Sequence, residues 1–225
     1  MQYKKAQTQL AKTVEDYNNI SQEFNTTRQY SWKEFELFLP HIKGKSLADL
    51  GCGNGRFFKF IQEKKPELIY TGIDNSPALI NYAKKQNPKA NFQLGNLQNI
   101  PLTDNSQNTA VSIASFHHLP HPKMRQKALQ EIHRILAKDG ILIISVWNLF
   151  QPKYKKYIWQ ARLRTLLSLG QYHPRDTFIP WAKTGIKRYY YAFKEQELRN
   201  LLSKAGFKIL ESHIDRNILI ICQKK

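Results

Sequence analysis

Asp49-Leu50-Gly51-Cys52-Gly53-Asn54-Gly55 is the stretch whose residue types and spacing can do chemistry. An apolar run, Ser46-Leu47-Ala48, leads into it, and a helix-like run, Arg56 to Ile61, leads out. Glycine has no Cβ, so such a turn can lie directly against a ligand. Gly51-x-Gly53-x-Gly55 is not the dinucleotide spacing G-x-G-x-x-G, and no Gly-Lys-Ser/Thr follows to make a phosphate loop. Asp49, at the end of the lead-in strand, offers a carboxylate to a cationic group. Asp74 ends a second apolar run, Leu68 to Ile73, where a carboxylate accepts hydrogen bonds from ribose hydroxyls. Strand, glycine turn and helix together make the pattern of a nucleotide-type cofactor site.

The elements that must position them follow from periodicity and punctuation. Residues 8–30 read as polar helix with an apolar stripe of Leu10, Val14, Tyr17 and Phe24. Trp32 to Leu39 reads as a short helix stopped at Pro40. Strands are expected at 46–50, 68–74, 91–94, 109–114 and 141–146. Helices are expected after the glycine turn to Lys64, from Ser76-Pro77 in cap-then-proline order, and from Lys123 to Ala137. Residues 148–187 break the alternation. A last helix, Lys194 to Ala205, and two strands near 207–213 and 217–223 close the chain. This pattern predicts an α/β, doubly wound, Rossmann-like sheet of seven strands. Its ligand should lie beyond the carboxyl ends of the strands, at the switch point beside the first.

At 225 residues and 41% hydrophobic, the chain is expected to form one domain spanning 1–225, with N-terminal helices over 1–44. The formal charge of +18 predicts a polyanionic partner, RNA or DNA. No apolar segment reaches the length of a membrane span and the start is polar, so no membrane role and a cytoplasmic protein are expected. Cys52 and Cys222 are too few for a disulfide framework or zinc cluster. His117-His118-x-x-His121 lacks acidic or cysteine companions, so no metal is expected. The 148–187 insertion carries Lys153, Lys155, Lys156, Arg162, Arg164, Arg175, Lys183 and Lys187 against the lone acid Asp176, with aromatics that include Trp181. Such a segment reads either as a nucleic-acid surface, with Lys and Arg on phosphates and aromatics on bases, or as a lid with a solvated charged face.

An acidic residue before G-x-G-x-G resembles motif I of the class I S-adenosylmethionine (SAM) methyltransferases. Gly95-Asn96-Leu97-Gln98-Asn99-Ile100-Pro101 resembles their segment after the third strand, with Asn96 where an acid usually meets the adenine amine. An amide oxygen can accept the same bond. This resemblance implies the class I methyltransferase fold, mostly parallel with its last strand antiparallel. It implies cofactor contacts from Tyr17, Asp49, Gly51, Cys52, Gly53, Asn54, Gly55, Asp74, Asn75, Asn96, Leu97 and Ser115.

A more specific set, spread over nearly the whole chain, is similar to the tRNA methyltransferases that esterify the carboxymethyl group of wobble uridine. It comprises Tyr17-Asn18-x-Ile20, Thr27-Arg28-x-Tyr30-x-Trp32, His117-His118, Val146-Trp147, Pro180-Trp181, Arg188-Tyr189-Tyr190 and Ala205-Gly206-Phe207. The family implies tRNA, at its anticodon arm, as substrate, and a small zinc-binding activator subunit as a partner of eukaryotic relatives. The chain departs from it at Tyr191, where His is frequent, and at Asn217 to Ile220, where the family has a Trp-rich strand. A carboxylate is ionised at pH 7, so its methylation calls for placement rather than a base. Arg28 and Arg188 are the candidate clamps. His117, His118 and Trp147 would contact the carboxylate or the base, and Tyr189 would join the RNA surface. A methyltransferase of a small acid or quinone, and a non-catalytic RNA-binding protein on the same fold, remain as alternatives.

Overall fold

The computed structural model describes residues 1–28, 30–181 and 184–225. Helices α1 (Tyr3–Asn19) and α2 (Ser21–Thr27) precede a 3-10 segment, Lys33–His41, that contains Pro40. The expected end at Leu39 is thus two residues early. Strand β1 (Ser46–Leu50), helix α3 (Arg56–Lys64), β2 (Ile69–Asp74), α4 (Pro77–Gln86), β3 (Asn91–Leu94), β4 (Gln107–Ile113), α5 (Pro122–Ile135) and β5 (Leu136–Trp147) form the alternating half. Then come α6 (Lys155–Leu167), β6 (Asp176–Pro180), β7 (Lys187–Tyr191), α7 (Glu195–Lys204), β8 (Phe207–Ile214) and β9 (Asn217–Lys224).

Seven strands make one sheet in the order β3-β2-β1-β4-β5-β9-β8, with β9 antiparallel to both neighbours. The order reverses between β1 and β4, which opens the crevice at their carboxyl ends. In the buried strand β5, Ile141 and Ile143 face one core while Leu142, Ile144 and Val146 face the other, the period-two signature of a sheet covered on both sides. Phe35 and Phe38 pack with Phe57, Phe60 and Ile61 of α3 over the first face. Ala128, Leu129, Ile132 and Ile135 of α5 pack with Leu198 and Leu202 of α7 over the second.

Two expectations change. The 148–187 insertion, expected only as a break in the alternation, contains α6 and one strand of a separate hairpin, β6 paired antiparallel to β7. And β5 begins at Leu136, not 141, running through Asp139 in a left-handed conformation (φ 60°), so α5 ends at Ile135, short of the expected Ala137.

Candidate active site

A cavity opens at the carboxyl ends of β1 to β5, roofed by α1 and α2. Its floor is the glycine turn. Gly51 N–H (2.7 Å) and Cys52 N–H (3.0 Å) both donate to Ile73 O, and Gly53 N–H donates to Asp74 Oδ2 at 2.9 Å. The turn runs through positive φ at Gly51 (85°), where an added Cβ would sit 2.3 Å from that of Ser115. Asp74 Oδ1 accepts from Ser76 N–H at 2.9 Å, so one carboxylate ties the turn to α4. Ser76 caps α4 as its sequence implies, accepting from Leu79 N–H at 3.2 Å.

Asp49 is 1% exposed. Its Oδ2 accepts from the Tyr70 hydroxyl at 2.6 Å, while Oδ1 has no partner. Burial, offset in part by the Tyr70 bond, pushes its carboxyl up to about 7. An orphaned buried carboxylate oxygen beside a cavity wall suits an ammonium group. Asn75, Asn96, Leu97 and Ser115 also line the cavity. Asn96 Oδ1 already accepts from Gln98 N–H at 2.8 Å, a turn-forming bond that leaves its amide N–H₂ and a second lone pair for adenine. Ser115 Oγ donates to Leu50 O at 2.8 Å and buttresses Gly51 from below. Asn54 donates to Asn25 Oδ1 at 3.0 Å, fastening the roof to the turn. Gly55 lies behind the cavity wall, where its absent Cβ makes room for Phe92 (2.8 Å). These groups fit SAM: an open cradle, a lone anionic oxygen for its ammonium, and a carboxylate at the end of β2 for its ribose.

The other end of the cavity is rich in donors. Arg188 is 5% exposed and enclosed by aromatic rings, its guanidinium carbon 4.3 Å from the Trp181 ring centre and 5.2 Å from that of Tyr190. Among the described residues no acidic side chain pairs with it, and its Nε–H has no partner. His117 Nδ1 accepts from Trp147 N–H at 3.1 Å, which places the proton of the neutral ring on Nε2. That Nε2 is also without a partner. Burial, then His118 and Arg188, keeps His117 neutral. His118 Nδ1–H donates to Tyr189 O at 2.7 Å, so its Nε2 accepts from the Tyr17 hydroxyl at 2.9 Å. The same hydroxyl accepts from Arg188 at 3.3 Å. Burial drives His118 down to about 3, so this chain of bonds keeps one polarity across the working pH range. Arg28 lines the cavity between these groups and the turn, its guanidinium 5.2 Å from the Trp181 ring. Trp147 is stacked on Tyr190 (4.8 Å) and Tyr154 (6.0 Å), so it serves as wall more than as an open stacking platform.

Some sequence-predicted residues lie elsewhere. Tyr189 is fully buried and donates to Asp176 Oδ1 at 2.7 Å, so it cannot face RNA. Trp181 is 5% exposed, bonded through Nε1 to Glu23 at 2.7 Å, and belongs to the arginine cage. Arg175 pairs with Glu197, and Arg164 donates to Asp176 O at 3.1 Å while covering Phe178. Lys153, Lys155, Lys156, Arg162 and Lys187 are exposed. Lys183 lies outside the described residues. Reading Lys187 to Tyr191 as a period-two strand separates Arg188 and Tyr190, facing the cavity, from Tyr189, facing the core. Sequence reasoning missed Arg56 and Trp32, which line the cavity together, and Tyr190, whose buried hydroxyl has no partner.

A family profile described as a methyltransferase domain matches residues 48–144. The tRNA (carboxymethyluridine(34)-5-O)-methyltransferase of Schizosaccharomyces pombe is 28% identical over 92% of this chain and 94% of its own. The enzyme of that name from Xenopus tropicalis, alkbh8, is 34% identical over 73% of this chain, which spans 29% of the frog protein. Among solved structures, a SAM-dependent methyltransferase from Methanosarcina mazei superposes with TM-score 0.73 at 23% identity, over 84% of this chain and 96% of that one. The methyltransferase in a Haloferax volcanii complex with the Trm112 activator does so with TM-score 0.68 at 15% identity, over 94% and 96%. At these identities the structures share the fold alone. No helix among the described residues is long and apolar enough to cross a membrane.

The raised pKa of Asp49 sets a pH dependence. Between its unfolded value near 3.8 and about 7 the folded protein holds a proton that the unfolded chain gives up, so the stability of the free protein falls as pH rises through that window. An ammonium ligand selects the ionised form and draws the pKa back down. The affinity for S-adenosylhomocysteine is therefore expected to be about tenfold weaker at pH 6 than at pH 8, and flat in Asp49→Asn. Calorimetric titration across that range checks it; a flat profile in the native protein would remove Asp49 from the ammonium site.

Proposed function

We propose that this chain, a class I SAM-dependent methyltransferase that resembles the tRNA carboxymethyluridine methyltransferases, esterifies the carboxylate of 5-carboxymethyluridine at the tRNA wobble position. One observation carries the reading: Arg188, buried with no acidic partner among the described residues, converges with the Nε2–H of His117, itself unpaired among them, on one cavity. A buried cation with an unpaired Nε–H, beside a neutral ring with an unpaired N–H, is complementary to an anion that arrives with the substrate.

SAM, when bound, would supply an electrophilic methyl group on sulfur. The acceptor carboxylate is ionised at pH 7, so the protein need remove no proton from it. The protein's task is placement and exclusion of water. Arg188 and His117 hold one carboxylate oxygen and leave the other for reaction. Tyr17, oriented by neutral His118, keeps the Arg188 fork in place. Trp147 and Tyr190 wall the site from solvent. The exposed Lys153, Lys155, Lys156, Arg162 and Lys187, on and beside α6, suit the phosphates of an anticodon arm.

The test is nucleoside mass spectrometry of carboxymethyluridine-containing tRNA incubated with the protein and SAM, with and without a Trm112-type activator. The methyl ester is the expected product. Unchanged carboxymethyluridine in both arms, with cofactor binding demonstrated, sinks the reading. Turnover of a free small carboxylic acid in its place would support a small-molecule methyltransferase.

A further inference from the structure

We infer that Arg56 and Asp49 form a receptor for the zwitterionic end of the cofactor, Arg56 taking its carboxylate and Asp49 its ammonium. The inference rests on the cofactor being SAM and is independent of the acceptor.

Arg56 opens α3, directly after the left-handed Gly55, and lines the same cavity as Asp49. Its guanidinium carbon lies 4.2 Å from the Trp32 ring centre and 5.7 Å from that of Phe35. Stacking fixes the plane and leaves the N–H edge for a ligand. Among the described residues it makes no side-chain hydrogen bond or ion pair. Burial, then the nearby Arg28, lowers its pKa to about 10. Two guanidiniums kept close together favour an anion between them.

Asp49 and Arg56 feel each other's charge, yet they do not meet as an ion pair. Asp49 spends one oxygen on Tyr70 and keeps the other free. Opposite charges held apart at one cavity wall match an α-amino acid, whose ammonium and carboxylate are joined through one carbon. A site built for the nucleoside alone would have no use for the arginine.

Two ligands isolate the contact. S-adenosylhomocysteine carries the amino acid; 5′-methylthioadenosine keeps the adenosine and thioether and lacks it. By titration calorimetry, the native protein is expected to bind the first at least about 100-fold more tightly. Arg56→Gln should weaken S-adenosylhomocysteine by roughly 30- to 100-fold and leave 5′-methylthioadenosine within about threefold, as expected when one partner of a charged contact is removed. Arg56→Lys should recover part of the loss. Unchanged S-adenosylhomocysteine binding in Arg56→Gln overturns the assignment, as does equal native affinity for the two ligands. Parallel weakening of both also overturns it, because it would show that Arg56 acts by packing on Trp32. Absence of S-adenosylhomocysteine binding to the native protein overturns the cofactor assignment and this inference with it. A negative result in the tRNA assay leaves it standing.

Discussion

Replacing Arg188 by methionine is expected to lower kcat/KM for methyl transfer by at least about 10³-fold while leaving the S-adenosylhomocysteine Kd within roughly threefold. The magnitude follows from removing one partner of a desolvated charge pair, about 4 kcal/mol when the other partner stays buried. Methionine approximates the volume of the arginine stem and suits the surrounding rings, so the fold should survive. Stability should not fall and can rise, because in the free enzyme Arg188 is a buried cation with no acidic partner among the described residues. The signature is thus a loss of transfer at equal or higher Tm. Arg188→Lys should fall between, since lysine keeps the charge but lacks the planar fork. Transfer assays beside thermal melts decide it: near-native turnover in Arg188→Met would remove Arg188 from acceptor recognition.

Gly51→Ala is expected to lower Tm by roughly 6–12 °C and raise the S-adenosylhomocysteine Kd at least about tenfold. Two costs add. A left-handed φ of 85° is unfavourable for alanine by about 1–2 kcal/mol. The new methyl would sit 2.3 Å from Ser115 Cβ, an overlap worth about 1–3 kcal/mol; a domain of this size loses about 2–4 °C per kcal/mol. Ser115→Gly removes the obstacle at the cost of the Oγ bond to Leu50 O. The double variant should therefore be less destabilised than the sum of the singles, with a coupling on the order of 1 kcal/mol. Strict additivity would show that backbone conformation alone accounts for the glycine.

Much of the fold is legible because its signals are local. Ser46–Leu50 and Asn91–Leu94 are short apolar runs bounded by turn residues, and the structure returns the same bounds. Ser76-Pro77 announces α4 by capping chemistry alone. The β6–β7 hairpin was not legible: Pro180 and a run of basic and aromatic residues mask the alternation, and the pairing of Ile179 with Arg188 depends on tertiary packing. The floor of the site follows from the glycine turn and Asp74. The other end follows from no local signal: a family resemblance names Arg28, His117 and Arg188, which meet Tyr17 only after the sheet has brought distant segments together. Arg56 escaped notice because a cation after a glycine turn looks like ordinary helix surface. Its meaning comes from Trp32, 24 positions earlier in the chain.

The roof of α1 and α2 divides the molecule's inheritance. Residues 48–144 contain the glycine turn, Asp74 and both histidines. Tyr17 and Arg28 come from the segment before that span, and Trp147 and Arg188 from the segment after it. Asn18 accepts from Ser76 at 2.7 Å and Asn25 from Asn54 at 3.0 Å, so side-chain amides help to fasten the leading flank to the cofactor loops. On the proposed assignments, a lineage could exchange its acceptor by rewriting the two flanks and keeping the glycine turn, Asp49 and Asp74, provided that a ring at Trp32 still held Arg56. Comparing chains through their central span alone would group enzymes by the methyl group they spend and miss what each one spends it on.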